Sequence, residues 1–185
     1  MRKLALAGLV VAGLLASGTT AEYRYSLPVA LHEETRVIQQ QKVGRYELLE
    51  IPWPVAGRIN SYMDASHPFG IDIDTLYYEE LHNKSQPVFA VDAGEITFIG
   101  GDPCCSYGLY IEIKHDNRLN SLYAHLGRFS DLKVGDRVKK CQQIGYAGVT
   151  GYSTGPHLHF ELFDKGIRVN PLDYLGNESC LYDKN

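Results

Sequence analysis

"TGPHLHFEL", Thr154 to Leu162, places two histidines one residue apart inside a run that otherwise reads as a buried strand. Side chains on a strand point alternately to opposite faces, so His157, His159 and Glu161 share one face while Leu158, Phe160 and Leu162 line the other. The apolar face is the expected core face. Two imidazoles on the remaining face sit about 6–7 Å apart, close enough to converge on one metal ion or to divide into a ligand and a catalytic group. An H-x-H pair is also what two exposed polar residues on a half-buried strand look like. A third ligand, a base and a suitable compartment decide between these readings.

The neighbouring sequence is mostly β. From Tyr46 onward, short β-branched and aromatic runs are separated by Gly, Pro and Asp: "PVFAVDAGEITFIG", "GLYIEIKHD", "LNSLYAHLG", "DRVKKCQQIGYAG" and "PHLHFELFDKG". In "GLYIEIKHD", Leu109, Ile111 and Ile113 alternate with Tyr110, Glu112 and Lys114, and Asp116-Asn117 marks a turn into the next strand. A short helix fits Thr75 to His82. Residues 22–50 show little periodicity, and Pro28 interrupts them.

The first 21 residues resemble a secretion signal: Arg2 and Lys3, an apolar run from Leu4 to Ala16, then "SGTTA", with cleavage expected after Ala21. That run is too short to span a bilayer, so no membrane insertion is expected once it is removed. The expected layout is a signal peptide at 1–21, an extension at 22–50 and one domain at 51–185. The formal charge is −4, and loss of Arg2 and Lys3 makes it −6. With no basic stripe to neutralise phosphates, nucleic-acid binding is not expected.

An exported chain meets oxidants, so Cys104, Cys105, Cys141 and Cys180 are expected as disulfides. A bond between adjacent Cys104 and Cys105 would close a strained eight-membered ring, so each is expected to reach Cys141 or Cys180. A structural zinc site on these cysteines is disfavoured because no C-x-x-C spacing is present.

A hydrolytic zinc site takes about three N or O ligands and keeps an open position. His159 can supply one, and "SHPFGIDID" supplies an upstream His67 and Asp72, with Ile71 and Ile73 on the face opposite Asp72. Taken together, "SHPFGIDID", "PVFAVDAGEITFIG", "SYGLYIEIKHDNRLNSLYAHL", "KVGDRVKKCQQIGYAGVTGYSTGPHLHFEL" and "VNPLDYL" resemble, in order, the LytM/lysostaphin-type zinc metallopeptidases. The likeness runs from Pro54 to Leu175, and its most specific block is "GYAGVTGYSTGPHLHFEL".

The resemblance implies an antiparallel, β-sandwich-like groove fold with short helices. It implies zinc ligands at His67, Asp72 and His159 and non-ligand active-site histidines at His125 and His157. The last two would accept a proton from the attacking water or, when protonated, hold a developing oxyanion, in an order that stays open here. Glu161 is a candidate to orient one of the histidines, and Tyr152 and Ser153 to line the groove. The implied activity is that of a secreted or periplasmic peptidoglycan endopeptidase acting on stem peptides or cross-bridges.

Two features depart from the family pattern. Four residues rather than three separate His67 from Asp72, and Cys141 stands where glycine is usual. His32, His82 and His115 are expected on the surface. The sequence admits two rival readings. One is a non-enzymatic relative that activates another wall hydrolase, and its mark, loss of a ligand, is absent. The other is a lipoyl-type carrier, suggested by "AVDAGEITFIG" and "KVGDRVKKCQQIG" but lacking a lysine at the tip between its halves.

Overall fold

Where apolar residues alternate with polar ones, the chain builds antiparallel sheet. The computed structural model describes residues 49–181, so the expected signal peptide, His32 and nearly all of the 22–50 segment lie outside the described residues. Strands β5 (Gly94–Gly100), β6 (Leu109–His115) and β7 (Leu119–Phe129) pair antiparallel in succession, and the β6–β7 pair is the one expected from the turn at Asp116-Asn117. Asn117 fixes the turn between β6 and β7. Its side-chain oxygen accepts the Leu119 amide at 2.7 Å while its amide donates to Asp92 Oδ2 at 2.7 Å.

β10 (His157–Asp164) pairs antiparallel with β7 on one side and with β3 (Ile71–Asp74) on the other. With β2 (Arg58–Ser61) and β8 (Arg137–Val138) at the ends, the sheet order is β2-β3-β10-β7-β6-β5-β8. β11 (Ile167–Val169) forms a hairpin with β10, and β4 (Pro87–Phe89) pairs with β9 (Gln143–Ala147), which joins β7. A separate parallel pair is made by β1 (Ile51–Trp53) and β12 (Leu175–Ser179). Among the described residues helix is confined to α1 (Leu76–His82), inside the stretch expected to be helical, and one 3-10 turn, Pro171–Asp173. The fold is mostly β and antiparallel, as expected. No helix among the described residues is long and apolar enough to cross a membrane.

The core is a layer of Ile71, Ile73, Ile111, Ile113, Tyr123, Leu158, Phe160 and Leu162, all fully shut from solvent. Burying each such side chain stabilises by about 1.5–3 kcal/mol. The predicted apolar face of β10 is therefore the core face. Its other face is buried too, with His157, His159 and Glu161 nearly inaccessible. Polar groups in such a position must find partners inside the protein.

Two expectations are corrected. His115 is buried, not on the surface. The alternation that sends Ile111 and Ile113 inward carries through to His115, two residues on. There its Nδ1 lies 3.1 and 3.2 Å from the carbonyl oxygens of Asp92 and Ala93, and its Nε2 lies 2.7 Å from Ser121 Oγ. His82 is exposed, as expected.

The second correction concerns the cysteines. Cys141 and Cys180 bond to each other, with Cα atoms 5.0 Å apart, while Cys104 and Cys105 are free thiols on an exposed loop. The backbone explains this pairing. The Cys141 amide donates to Ala90 O, and Cys180, following β12, is buried with its sulfur near the same carbonyl. Cys104 and Cys105 are instead in the β5–β6 loop, which is tied to residues 151 and 152.

Candidate metal and catalytic site

Register brings the first two residues together. In the β3–β10 ladder Asp72 stands directly opposite His159, so their side chains share a face, and His159 Nδ1 lies 2.7 Å from Asp72 Oδ1. His67 arrives from the loop between β2 and β3. Asp64 Oδ1 shapes that loop by accepting from the amides of Ser66 and His67 and from the Ser66 hydroxyl. Gly70 lets the loop return close to β10, because a Cβ there would stand 2.4 Å from the Phe160 carbonyl oxygen.

The loop with one extra residue still delivers His67, whose Nε2 lies 3.3 Å from Asp72 Oδ1. That nitrogen is buried and makes no hydrogen bond. One ligand atom each from His67, Asp72 and His159 fall within 4.8 Å of one another. A buried imidazole nitrogen without a partner, facing a carboxylate and a second imidazole, is the donor set that suits a zinc ion.

The structure brings His125 and His157 to the same place. β7 pairs with β10 as far as Ala124 and with β9 from Leu126, so the strand changes partners at His125. Opposite β6, Leu126 and Tyr123 face Leu109 and Ile111, which leaves one extra residue on β7. His125 takes up this bulge with a left-handed backbone, φ 58°, a conformation uncommon for a residue with a side chain. The bulge aims its ring at His157, with centroids 4.7 Å apart, and at His159, 5.8 Å away.

Each of these two rings is held by one nitrogen. His125 Nδ1 lies 2.8 Å from Thr150 O, and His157 Nδ1 lies 2.8 Å from Gly155 O and 3.2 Å from Ser153 Oγ. A carbonyl only accepts, so Nδ1 carries the hydrogen in both and Nε2 keeps a lone pair in the neutral ring. His157 Nε2 is 3.8 Å from Asp72 Oδ1. Burial pushes His125 down to about 4, only partly offset by the Thr150 carbonyl, so its ring is neutral near pH 7.

Glu161 is fully buried and holds the outer side of His159. Its Oε1 is 3.2 Å from His159 Nε2 and accepts the Tyr107 hydroxyl, while Oε2 accepts Arg168 Nε at 2.9 Å. Burial alone would raise the Glu161 acid, but hydrogen bonds from His159, Tyr107 and Arg168 hold it below the usual carboxylate range. Asp72 behaves alike, with burial outweighed by the His159 hydrogen bond and the charges of His159 and His157. Between two such carboxylates His159 is raised despite its burial. Burial and the adjacent Glu161 push Tyr107 up to about 12, which keeps it a hydrogen-bond donor.

Among the groove candidates, Ser153 touches His157 and Tyr152 is exposed. Sequence reasoning missed Tyr107, Thr150 and Arg168. They come from separate loops and from the β11 hairpin, and no local pattern marks them; the nearest signal was the parity that set Glu161 beside His159.

The model described as Peptidase family M23 matches residues 70–171, which contain Asp72, His125, His157 and His159, with His67 just before them. The chain is 38% identical over 119 residues to the DD-carboxypeptidase/endopeptidase Mpg of Neisseria meningitidis serogroup B, covering 60% of this chain and 27% of that one. Among solved structures it is similar to a zinc-containing peptidase from Vibrio cholerae, at 28% identity and TM-score 0.53 over 65% of this chain and 38% of that one. Lysostaphin from Staphylococcus simulans, an antimicrobial peptidase, aligns at 29% identity and TM-score 0.54 over 70% of this chain and 52% of that one. The chain thus spans about a quarter of the length of the curated relative it matches. With a family model matched over more than half of its residues and the fold shared with lysostaphin, the chain belongs to peptidase family M23.

Proposed function

We propose that this protein is an exported, zinc-dependent peptidoglycan endopeptidase that hydrolyses peptide bonds of stem peptides or cross-bridges. In this reading residues 1–21 direct export, residues 51–185 form the catalytic domain, and the protein works in the cell envelope or outside it. The observation that carries the proposal is the buried, unpartnered Nε2 of His67, which faces Asp72 and His159 beside two further histidines.

His67 Nε2, an oxygen of Asp72 and His159 Nδ1 would hold the zinc. When bound, zinc supplies Lewis-acid polarisation of a peptide carbonyl and makes water a stronger acid. The chain's own residues do the rest. Glu161 accepts from His159 Nε2 and so leaves Nδ1 as the ligating nitrogen, in the manner of carboxylate–histidine pairs around metals. His125 and His157, each fixed through Nδ1, offer Nε2 to take the proton that the attacking water loses. The resulting imidazolium can return it to the leaving amine, and the protonated ring stabilises the oxyanion that develops meanwhile.

The test uses the purified mature chain, measuring zinc content and then digesting isolated walls with identification of products by mass. One zinc per chain and products cut at a peptide bond are expected. Zinc bound with walls left intact would overturn the enzymatic reading and leave a groove that only binds.

A further inference from the structure

The β5–β6 loop, residues 101–108 (GDPCCSYG), carries two exposed thiols that the proposed hydrolysis does not use. The Sγ atoms of Cys104 and Cys105 lie 2.8 Å apart. The loop holds the pair in a tight path: Asp102 accepts the Cys104 amide through its side chain and the Cys105 amide through its carbonyl, and Gly108 N–H donates to Cys105 O. The whole sequence has four cysteines, and the other two are bonded to each other. Within this chain, therefore, Cys104 and Cys105 have no cysteine partner but one another.

The same loop is fastened to the candidate site. Pro103 O accepts the Gly151 amide at 2.8 Å, Ser106 O accepts the Tyr152 amide at 2.9 Å, and Tyr107 O accepts the His125 amide at 2.9 Å. The Tyr107 hydroxyl donates to Glu161. Gly108 and Gly151 meet so closely that a Cβ on Gly151 would stand 2.3 Å from Gly108 N. The segment gripped in this way supplies Thr150 O to His125 and Ser153 Oγ and Gly155 O to His157. A change in the peptide between the two cysteines reaches this segment through carbonyls one residue to either side.

We propose that Cys104 and Cys105 form a reversible vicinal disulfide, a redox site whose closure is felt by the wall of the candidate active site. The oxidant is a disulfide, such as oxidised glutathione. One cysteine sulfur attacks it, forming a mixed disulfide and releasing one thiol; the second then attacks the first, forming the Cys104–Cys105 bond and releasing the other thiol. Two cysteine thiols are oxidised, one disulfide is reduced to two thiols, and their protons pass to the released sulfurs. The hydrogen bond to Cys105 and the adjacent Asp102 push the Cys104 thiol up to about 12. The strained ring that makes this bond unexpected from sequence is what makes it readily reduced, and exposure keeps it within reach of thiols.

The test uses the full chain, mildly reduced so that Cys141–Cys180 survives, then treated with oxidised glutathione. Peptide mass mapping should show the loss of two hydrogens on the peptide holding Cys104 and Cys105, with no glutathione retained. Cys104→Ser should instead retain one glutathione on Cys105, because no neighbouring thiol is left to displace it; failure to do so overturns the mixed-disulfide route. In the oxidised protein, amide hydrogen exchange at Gly151 and Tyr152 should change by about threefold or more and revert on reduction. A lasting glutathione adduct on the unmutated chain, two unreacted thiols, a disulfide-linked dimer, or unaltered exchange after ring closure would each overturn the proposal. No readout uses peptide hydrolysis, so failure here leaves the peptidase reading standing, and the reverse holds as well.

Discussion

His159 is the residue on which the site turns, because one ring meets Asp72 through Nδ1 and Glu161 through Nε2. His159→Ala leaves two of three donors, and zinc content should fall greatly; full occupancy in that variant would remove His159 from the ligand set. His125→Ala and His157→Ala should instead keep zinc while activity drops by about 10²–10⁴-fold. If both lose the metal, the division between ligands and proton-handling groups is wrong. His115 titrates for another reason, since burial holds its pKa below the usual histidine value. The unfolded chain then takes up a proton that the folded chain resists, so the contribution of His115 is complete above a pH of about 6.5 and is lost as pH falls below it. His115→Gln should cost about 1–3 kcal/mol at neutral pH, through disturbed hydrogen bonds to Ser121 and the 92–93 carbonyls. Urea unfolding should show the gap from the unmutated protein narrowing towards lower pH, and a constant gap would deny His115 this role.

At the scale of elements, β10 and β3 carry two of the proposed ligands and the β2–β3 loop brings the third. At Gly70 this loop runs hard against β10, with no room for a Cβ beside the Phe160 carbonyl. Gly70→Ala pushes a methyl group against the Phe160 carbonyl, and the strands must part beside Asp72. Stability should fall by about 1–3 kcal/mol, and zinc should bind more weakly even though no ligand has changed. Zinc titration together with urea unfolding tests this, and wild-type values in both would show that the loop has room to move. The parity of β10 was legible in "PHLHFEL" because alternation along a strand needs no knowledge of what lies on either side. The aim of His125 was not legible, since it depends on a bulge created where β7 changes partners from β10 to β9.

For the molecule as a whole, the Cys141–Cys180 bond ties the turn after β8 to the chain end beyond β12, across 39 residues of sequence. Reducing it should destabilise the fold by about 2–4 kcal/mol, read as a lower melting temperature. Unchanged melting after verified reduction would leave the bond in place but deny it a stabilising role.

The sequence by itself determined the β character, the face of β10 that carries His157, His159 and Glu161, and the four histidines and one aspartate that the structure brings together. Those readings rest on local alternation and on a run of motifs similar to one family, and both survive without knowledge of distant contacts. Tertiary structure alone decided which cysteines pair, that His115 goes inside, and that Tyr107 and Arg168 close around Glu161. Each of these depends on which segments lie side by side after folding. Glu161 makes the difference plain: its position on the strand follows from counting residues, but its burial follows from a loop and a hairpin that cover it from 54 residues before and 7 residues after.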